Sequence, residues 1–210
     1  MLIGLTGKYC AGKNHIALLL EKKGLPVLDV DKLGYEALEA EKEAVFARFG
    51  ADLQKSDGGL DRRLLGERVF GKPAELAALE ALVHPYVDRL IDEWIKKNGE
   101  IACVINAALL HRAAVFKRLD RIILVTAPFF IRLFRAMRRD GLSLKAVLRR
   151  FKSQKDFNTH YLSINDLSIN AEIYRVGNPN FAGFPHFMEN PRKKLERRID
   201  KIIKIIEGII

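Results

Sequence analysis

The residues that could do chemistry come early. Gly7-Lys8-Tyr9-Cys10-Ala11-Gly12-Lys13-Asn14 has two glycines, a lysine directly after the second, and an amide in the position that follows. This is the pattern of a phosphate loop, G-x-x-x-x-G-K-[Ser/Thr], filled at all but its last position. A phosphate chain needs a ring of backbone N–H donors. The glycines let the main chain curl close without a Cβ, the helix that follows adds its N-terminal donors and dipole, and Lys13 supplies a mobile cation. The expected nucleotide contacts are Gly7, Lys8, Tyr9, Cys10, Ala11, Gly12, Lys13, Asn14 and, one residue into the helix, His15. Asn14 offers Mg²⁺ a neutral amide oxygen in place of a hydroxyl, which makes it a weak metal ligand. The alternative is a glycine-rich turn with Lys13 in solvent.

Two acids form the next group. Pro26-Val27-Leu28-Asp29-Val30-Asp31 has the composition of a short strand finishing in carboxylates. At the end of a strand beside a phosphate loop, a carboxylate can orient water around Mg²⁺ or accept the proton of a substrate hydroxyl. Asp29 is thus a second weak metal candidate and Asp31 a catalytic and substrate-binding one; Asp31 as the N-cap of a helix beginning near Lys32 is the competing reading. His84, before Pro85, is either a substrate contact or a histidine at a helix junction. The third group is basic: Arg132, Arg135, Arg138, Arg139, Lys145, Arg149, Arg150, Lys152 and Lys155 are opposed only by Asp140. Arginine forks grip phosphoryl oxygens bidentately and stabilise transition-state charge, so a basic hairpin closing over a nucleotide would act as a lid. A solvated basic helix is the alternative.

These groups need elements to position them. Leu2-Ile3-Gly4-Leu5 predicts a strand entering the loop, and Ile16, Leu18, Leu19 and Leu20 a helix leaving it, ended near Gly24. Residues 32–49 predict one helix closed by Gly50, and Asp61 caps the next. Further helices are expected after Pro73 and through His84-Pro85 to Lys97. This helical run is too long for a simple crossover and predicts an inserted substrate-side subdomain. Ile101–Ile105 and Arg121–Val125 predict buried strands, with Asn106 ending the first where such folds often carry a second nucleotide-binding acid. A helix is expected over Leu109–Lys117, and another from Pro128 through Arg139. Phe157–Asn170 is polar and irregular, Ala171–Val176 a last strand, and Gly177–Asn180 a turn. Phe181, Phe184, Phe187 and Met188 either pack in the core or flank adenine. From Pro191 an amphipathic helix carries Leu195, Ile199, Ile202, Ile203 and Ile206 on one face.

Composition narrows the partners. The chain has 210 residues, 49% of them hydrophobic, and 36 Lys and Arg against 26 Asp and Glu give a net charge of +10, so anionic partners are expected. No apolar run reaches the roughly 18 residues of a membrane helix and no leader pattern opens the chain, so a cytoplasmic protein without a membrane partner is expected. Cys10 and Cys103 make no disulfide framework, and Cys10 is expected to be an inert loop thiol.

Taken in order, these blocks resemble the dephospho-CoA kinase family. The resemblance is carried by Ile3-Gly4-Leu5-Thr6-Gly7 with Ala11-Gly12-Lys13, by Gly24-Leu25-Pro26-Val27-Leu28-Asp29-Val30-Asp31-Lys32, and by Arg48-Phe49-Gly50. It continues through Asp57-Gly58-Gly59-Leu60-Asp61-Arg62-Arg63, His84-Pro85, Leu109-Leu110 and Arg139-Asp140-Gly141-Leu142-Ser143. It covers roughly residues 2–155. It implies an α/β fold: a five-stranded parallel sheet in a single P-loop kinase domain, with core segments 1–31, 99–131 and 170–210. A helical CoA-binding insertion would span about 32–98 and a basic lid about 132–157. It implies transfer of the ATP γ-phosphoryl group to the ribose 3′-hydroxyl of dephospho-CoA, with ATP as co-substrate, Mg²⁺ as cofactor, Asp31 as the catalytic aspartate, and Arg135 and Arg139 as lid arginines on the nucleotide. Lys13, Asp31 and Arg139 would carry the catalysis. The chain departs from the family pattern at Asn14, Asn106, Ala108 and Arg112. A related small-molecule kinase, or a catalytically impaired module binding nucleotide or nucleic acid, stays open beside this reading. Nothing in the sequence sets the oligomeric state.

Overall fold

Five short, largely apolar runs become the strands of one sheet. The computed structural model describes residues 1–152, 154, 157, 161, 171–178, 191–206 and 208. Strands β1 (Leu2–Gly7), β2 (Val27–Asp29), β3 (Cys103–Asn106), β4 (Arg121–Thr126) and β5 (Glu172–Gly177) lie in the order β2-β3-β1-β4-β5. Every residue of β1 and β3 is buried, as expected of strands covered on both faces. β1 pairs in parallel with β3 and with β4, and β4 in parallel with β5. Chain order therefore reverses around β1, and in open α/β sheets the ligand crevice forms at the carboxyl ends of the strands at such a point.

Helix α1 (Lys13–Lys22) packs on the sheet through Ile16 and Leu20, in one cluster with Ile3, Leu5, Val104, Ile123 and Val125. The last helix joins the same cluster. This helix, α8 (Pro191–Ile206), buries Leu195, Ile199, Ile202, Ile203 and Ile206, the face its sequence period marks out. Lys23 and Asp200 close an ion pair of 2.6 Å beside that contact. Among the described residues no helix is long and apolar enough to cross a membrane.

The chain forms two compact units, residues 1–28 with 98–210, and residues 29–97. The second is helical: α2 (Val30–Ala40), α3 (Lys42–Phe49), α4 (Arg62–Val69) and most of α5 (Pro73–Asn98). Its core is Val45, Phe46, Phe49, Leu53, Leu60, Leu65 and Val69. Asp61 caps α4 by accepting the Leu64 N–H at 3.0 Å.

Four local expectations are corrected. The single helix over 32–49 breaks at Glu41, and the break lets α3 turn Val45, Phe46 and Phe49 into the cluster while α2 buries Ala37 alone. The two helices expected, one after Pro73 and one through His84-Pro85, are one, and Val83, Val87 and Ile91 hold a four-residue buried period across the proline. Pro85 is exposed, so the Ala81 carbonyl whose helical bond it removes is left on the water side. Residues 109–117 are not α-helical but two 3₁₀ turns, Leu110–Arg112 and Ala114–Arg118, split by the extended Ala113. Leu110 and Leu119 both press on Gly4, 2.5 and 2.7 Å from where a Cβ would stand, so packing on the strand overrides helix continuation. Finally, α2 begins at Val30 with Asp29 in the N-cap position, so Asp31 lies in its first turn and is no cap.

Candidate active site

Where β1 ends, the backbone has little freedom. A Cβ on Gly7 would stand 2.7 Å from the Val125 carbonyl oxygen of β4, so only glycine lets the loop leave the sheet there. Ala11 donates back to Lys8 O at 2.8 Å, which closes the curl. Cys10 has φ 59, the one non-glycine with positive φ among the described residues, and Gly12 follows at φ 98. Left-handed residues alternating with Ala11 of ordinary φ give the backbone pattern of an anion nest. Gly12 is the N-cap of α1, with no side-chain cap and no acid in the first turn, so the positive end of the helix dipole faces the loop uncompensated. Lys13 is the first helical residue, and Asn14 and His15 are exposed on the same turn.

The loop is held from behind by two residues distant in sequence. Arg135, in α6 (Phe129–Asp140), donates to Cys10 O at 3.3 Å and Ala11 O at 3.1 Å, and to Asn178 O at 3.1 Å. Asn178, 3% exposed, follows β5 and sends its Nδ2 donor to the same Ala11 O at 3.1 Å, while its N–H donates to Thr126 O at 2.7 Å. A Cβ on Gly12 would run into the Asn178 amide, so the second loop glycine is required by this clamp as well as by its φ. The sequence marks Asn178 only as a turn residue.

The basic hairpin meets the loop at Tyr9. Helix α6 ends at Gly141, φ 63, and turns into α7 (Leu144–Lys152). Asp140 accepts from the Tyr9 phenol, from Arg139 Nε at 2.7 Å and from Arg150 at 3.3 Å, so the one acid of the hairpin is its hub. The Arg139 and Arg150 guanidinium carbons lie 5.3 and 5.5 Å from the Tyr9 ring centroid. Gln154 accepts the Tyr9 N–H at 2.7 Å. Burial raises the Cys10 thiol above its usual range, opposed by Arg139, Arg135, Arg132 and Arg150, which keeps it a thiol at neutral pH. Burial likewise lowers Arg135.

Beside the loop, Phe157 and Tyr161 are helical and buried where an irregular segment was expected. The Tyr161 hydroxyl accepts the His111 N–H at 2.8 Å, and burial raises its pKa. Their four-residue spacing was the available signal, obscured by the polar residues around it. At the end of β3, Asn106 is 1% exposed and its Oδ1 has no hydrogen-bond partner.

The structure therefore gathers Gly7–His15, Arg135 and Arg139 in one unit. Asp29, Asp31 and His84 belong to the 29–97 unit. Asp29 ends β2 with Oδ1 buried and unpartnered and Oδ2 4.0 Å from Lys32 Nζ. Asp31 is exposed on α2, and His84 sits half-buried in mid-α5, inside a helix and not at a junction. The aromatic residues 181–188 lie outside the described residues.

Comparison with known proteins adds kinship to this geometry. The family model described as dephospho-CoA kinase matches residues 1–172. A dephospho-CoA kinase of Thermus thermophilus is 39% identical over 154 residues, 73% of this chain and 75% of that protein. The one from Treponema pallidum is 32% identical over 187 residues, covering 84% and 86%. Among solved structures, TT1252 from Thermus thermophilus superposes with a TM-score of 0.76 at 30% identity, covering 100% of this chain and 97% of that one. The dephospho-CoA kinase from Campylobacter jejuni shares the fold, with a TM-score of 0.67 at 23% identity and coverage of 100% and 98%.

Proposed function

We infer the reaction from kinship: the chain belongs to the dephospho-CoA kinase family, and it phosphorylates dephospho-CoA at the expense of ATP, the closing step of coenzyme A synthesis. The bond made is between the ATP γ-phosphorus and the ribose 3′-oxygen; the bond broken releases ADP, and the hydroxyl proton leaves to a base. The observation that carries the reading on this chain is the curled loop Gly7–Lys13 at the head of α1, with an uncapped helix N-terminus behind it.

Positioning and electrostatics carry most of phosphoryl transfer. The loop N–H groups and Lys13 hold the β- and γ-phosphates. Arg135 and Asn178 fix the carbonyl side of the loop, so its donors need no reorganisation when the nucleotide arrives. Arg139 leaves its stack on Tyr9 and its pairing with Asp140 to take up charge on the transferring group. Asp31 takes the 3′-hydroxyl proton, and His84 contacts the acceptor held by the 29–97 unit.

Mg²⁺ is the cofactor this chemistry calls for. Such an ion would keep most of its waters and need only one or two protein oxygens. The orphaned Oδ1 of Asp29 and the exposed amide of Asn14 suit that limited demand, and they are the residues that would hold it. When bound, the ion neutralises charge on the β- and γ-phosphates.

The test is direct. Pure protein with ATP, Mg²⁺ and dephospho-CoA should yield CoA by mass; ADP without CoA would mean another acceptor, and no turnover would leave a nucleotide-binding module. Asp31→Asn should lower kcat more than it raises either KM, and normal turnover would end its role as base.

A further inference from the structure

A cavity of about 130 Å³ lies between the loop and the end of β4, lined by Lys8, Arg132, Phe157 and the segment Leu124–Ala127. That is about ten times the ~10–15 Å³ a single water needs. Its two cations are oddly provided for. Arg132 is 8% exposed, and its guanidinium faces the Phe151 ring at 4.4 Å. Lys8 faces the Phe157 ring at 6.0 Å. Among the described residues neither has a carboxylate partner, although Asp140 on the same hairpin takes Arg139 and Arg150. Burial lowers both pKa values, and the nearby Arg132 charge lowers Lys8 further. Two like charges beside one cavity, satisfied only by aromatic faces, are costly without an anion between them. The start of α6 adjoins the same space with no acid in its first turn.

We propose that this cavity is a second oxyanion site, in which Lys8 Nζ and the Arg132 guanidinium hold one phosphoryl group that the ring of loop N–H donors does not. The ligand class rests on the kinase reading. The group comes either from the phosphates of ATP or from the diphosphate of dephospho-CoA, which have the same chemistry.

Pyrophosphate binding tests the site without turnover. It is titrated by its thermal shift against Lys13→Ala protein, which lacks the loop cation, and against the same protein carrying Arg132→Met or Lys8→Met. Either addition should weaken pyrophosphate by about tenfold or more, the scale of a charge-assisted hydrogen bond. Arg132→Lys should keep most of the affinity. Equal affinity in all of them overturns the proposal, and Lys8→Met alone decides should Arg132→Met fail to fold. Steady-state kinetics of the single variants then names the source. A raised KM for ATP marks the donor, and a raised KM for dephospho-CoA marks the acceptor; neither moving overturns the site. If wild-type protein makes no CoA, the kinase reading fails, and the pyrophosphate titration still decides the cavity.

Discussion

The phosphate loop and the helical unit 29–97 are held by different physics. The helical unit has an apolar cluster under α3 and α4, and its ion pairs, such as Arg48–Glu75 at 3.1 Å, are on the surface, where they contribute little. The loop has polar ties instead: two donors on the Ala11 carbonyl, a phenol on Asp140, a glutamine on Tyr9 N–H. The helical unit is stabilised by area and volume. The loop is stabilised by direction, which suits a segment whose N–H groups must point at a ligand.

The largest effect separates the two at once. Leu53 is fully buried in the helical cluster, and Leu53→Ala should cost ~2–5 kcal/mol of stability by lost transfer energy plus cavity. The urea midpoint should fall while kcat per folded molecule holds. Next comes Lys13→Ala, expected to cost ~2.7–4 kcal/mol of transition-state stabilisation, or about 10²–10³ in kcat, with the urea midpoint almost unchanged. If the two variants exchanged signatures, the division between a packed unit and a directed loop would be wrong.

A finer break targets the clamp. Asn178→Ala removes the Nδ2 bond to Ala11 O and the Oδ1 that accepts from Arg135 at 3.4 Å, leaving the backbone bonds to Thr126 O and from Arg135. It should lower kcat/KM for ATP about tenfold, ~1.4 kcal/mol, with KM for dephospho-CoA unmoved. A purely structural role for Asn178 would instead lower the melting temperature and leave kcat/KM for ATP alone.

These variants also show what sequence can and cannot convey. Gly7, Gly12 and Lys13 were legible because their spacing encodes local backbone geometry. β1, β3 and the middle of β4 were legible because burial on both faces leaves continuous apolar runs, and Asp61 because an N-cap is a short-range signal. Asn178 was not, since its partner Ala11 is 167 residues away and nothing local distinguishes it from a turn asparagine. The division of α5 into two expected helices failed for a related reason: the buried period of Val83, Val87 and Ile91 that makes it one helix is set by what the helix packs on. Asp29 and Asp31 differ by one helix start, finer than sequence patterns resolve.

The smallest expected effect sharpens the comparison from the helical side. The Leu64 N–H beside Asp61 holds its carboxyl below the ordinary carboxylate range. A depressed carboxyl contributes stability that is fully present above its unfolded value, about 3.9, and is lost as pH falls through its lower folded value, because the unfolded chain binds the proton first. The melting temperature should therefore decline below about pH 4. Asp61→Asn keeps a good N-cap and carries no titrating group, so it should flatten part of that decline and leave the neutral melting temperature nearly unchanged. The phosphate loop carries no carboxylate, and Asp140, the acid that meets it among the described residues, is shared among a phenol and two arginines. An acid transition unaltered by Asp61→Asn would move the origin of acid sensitivity away from the α4 cap.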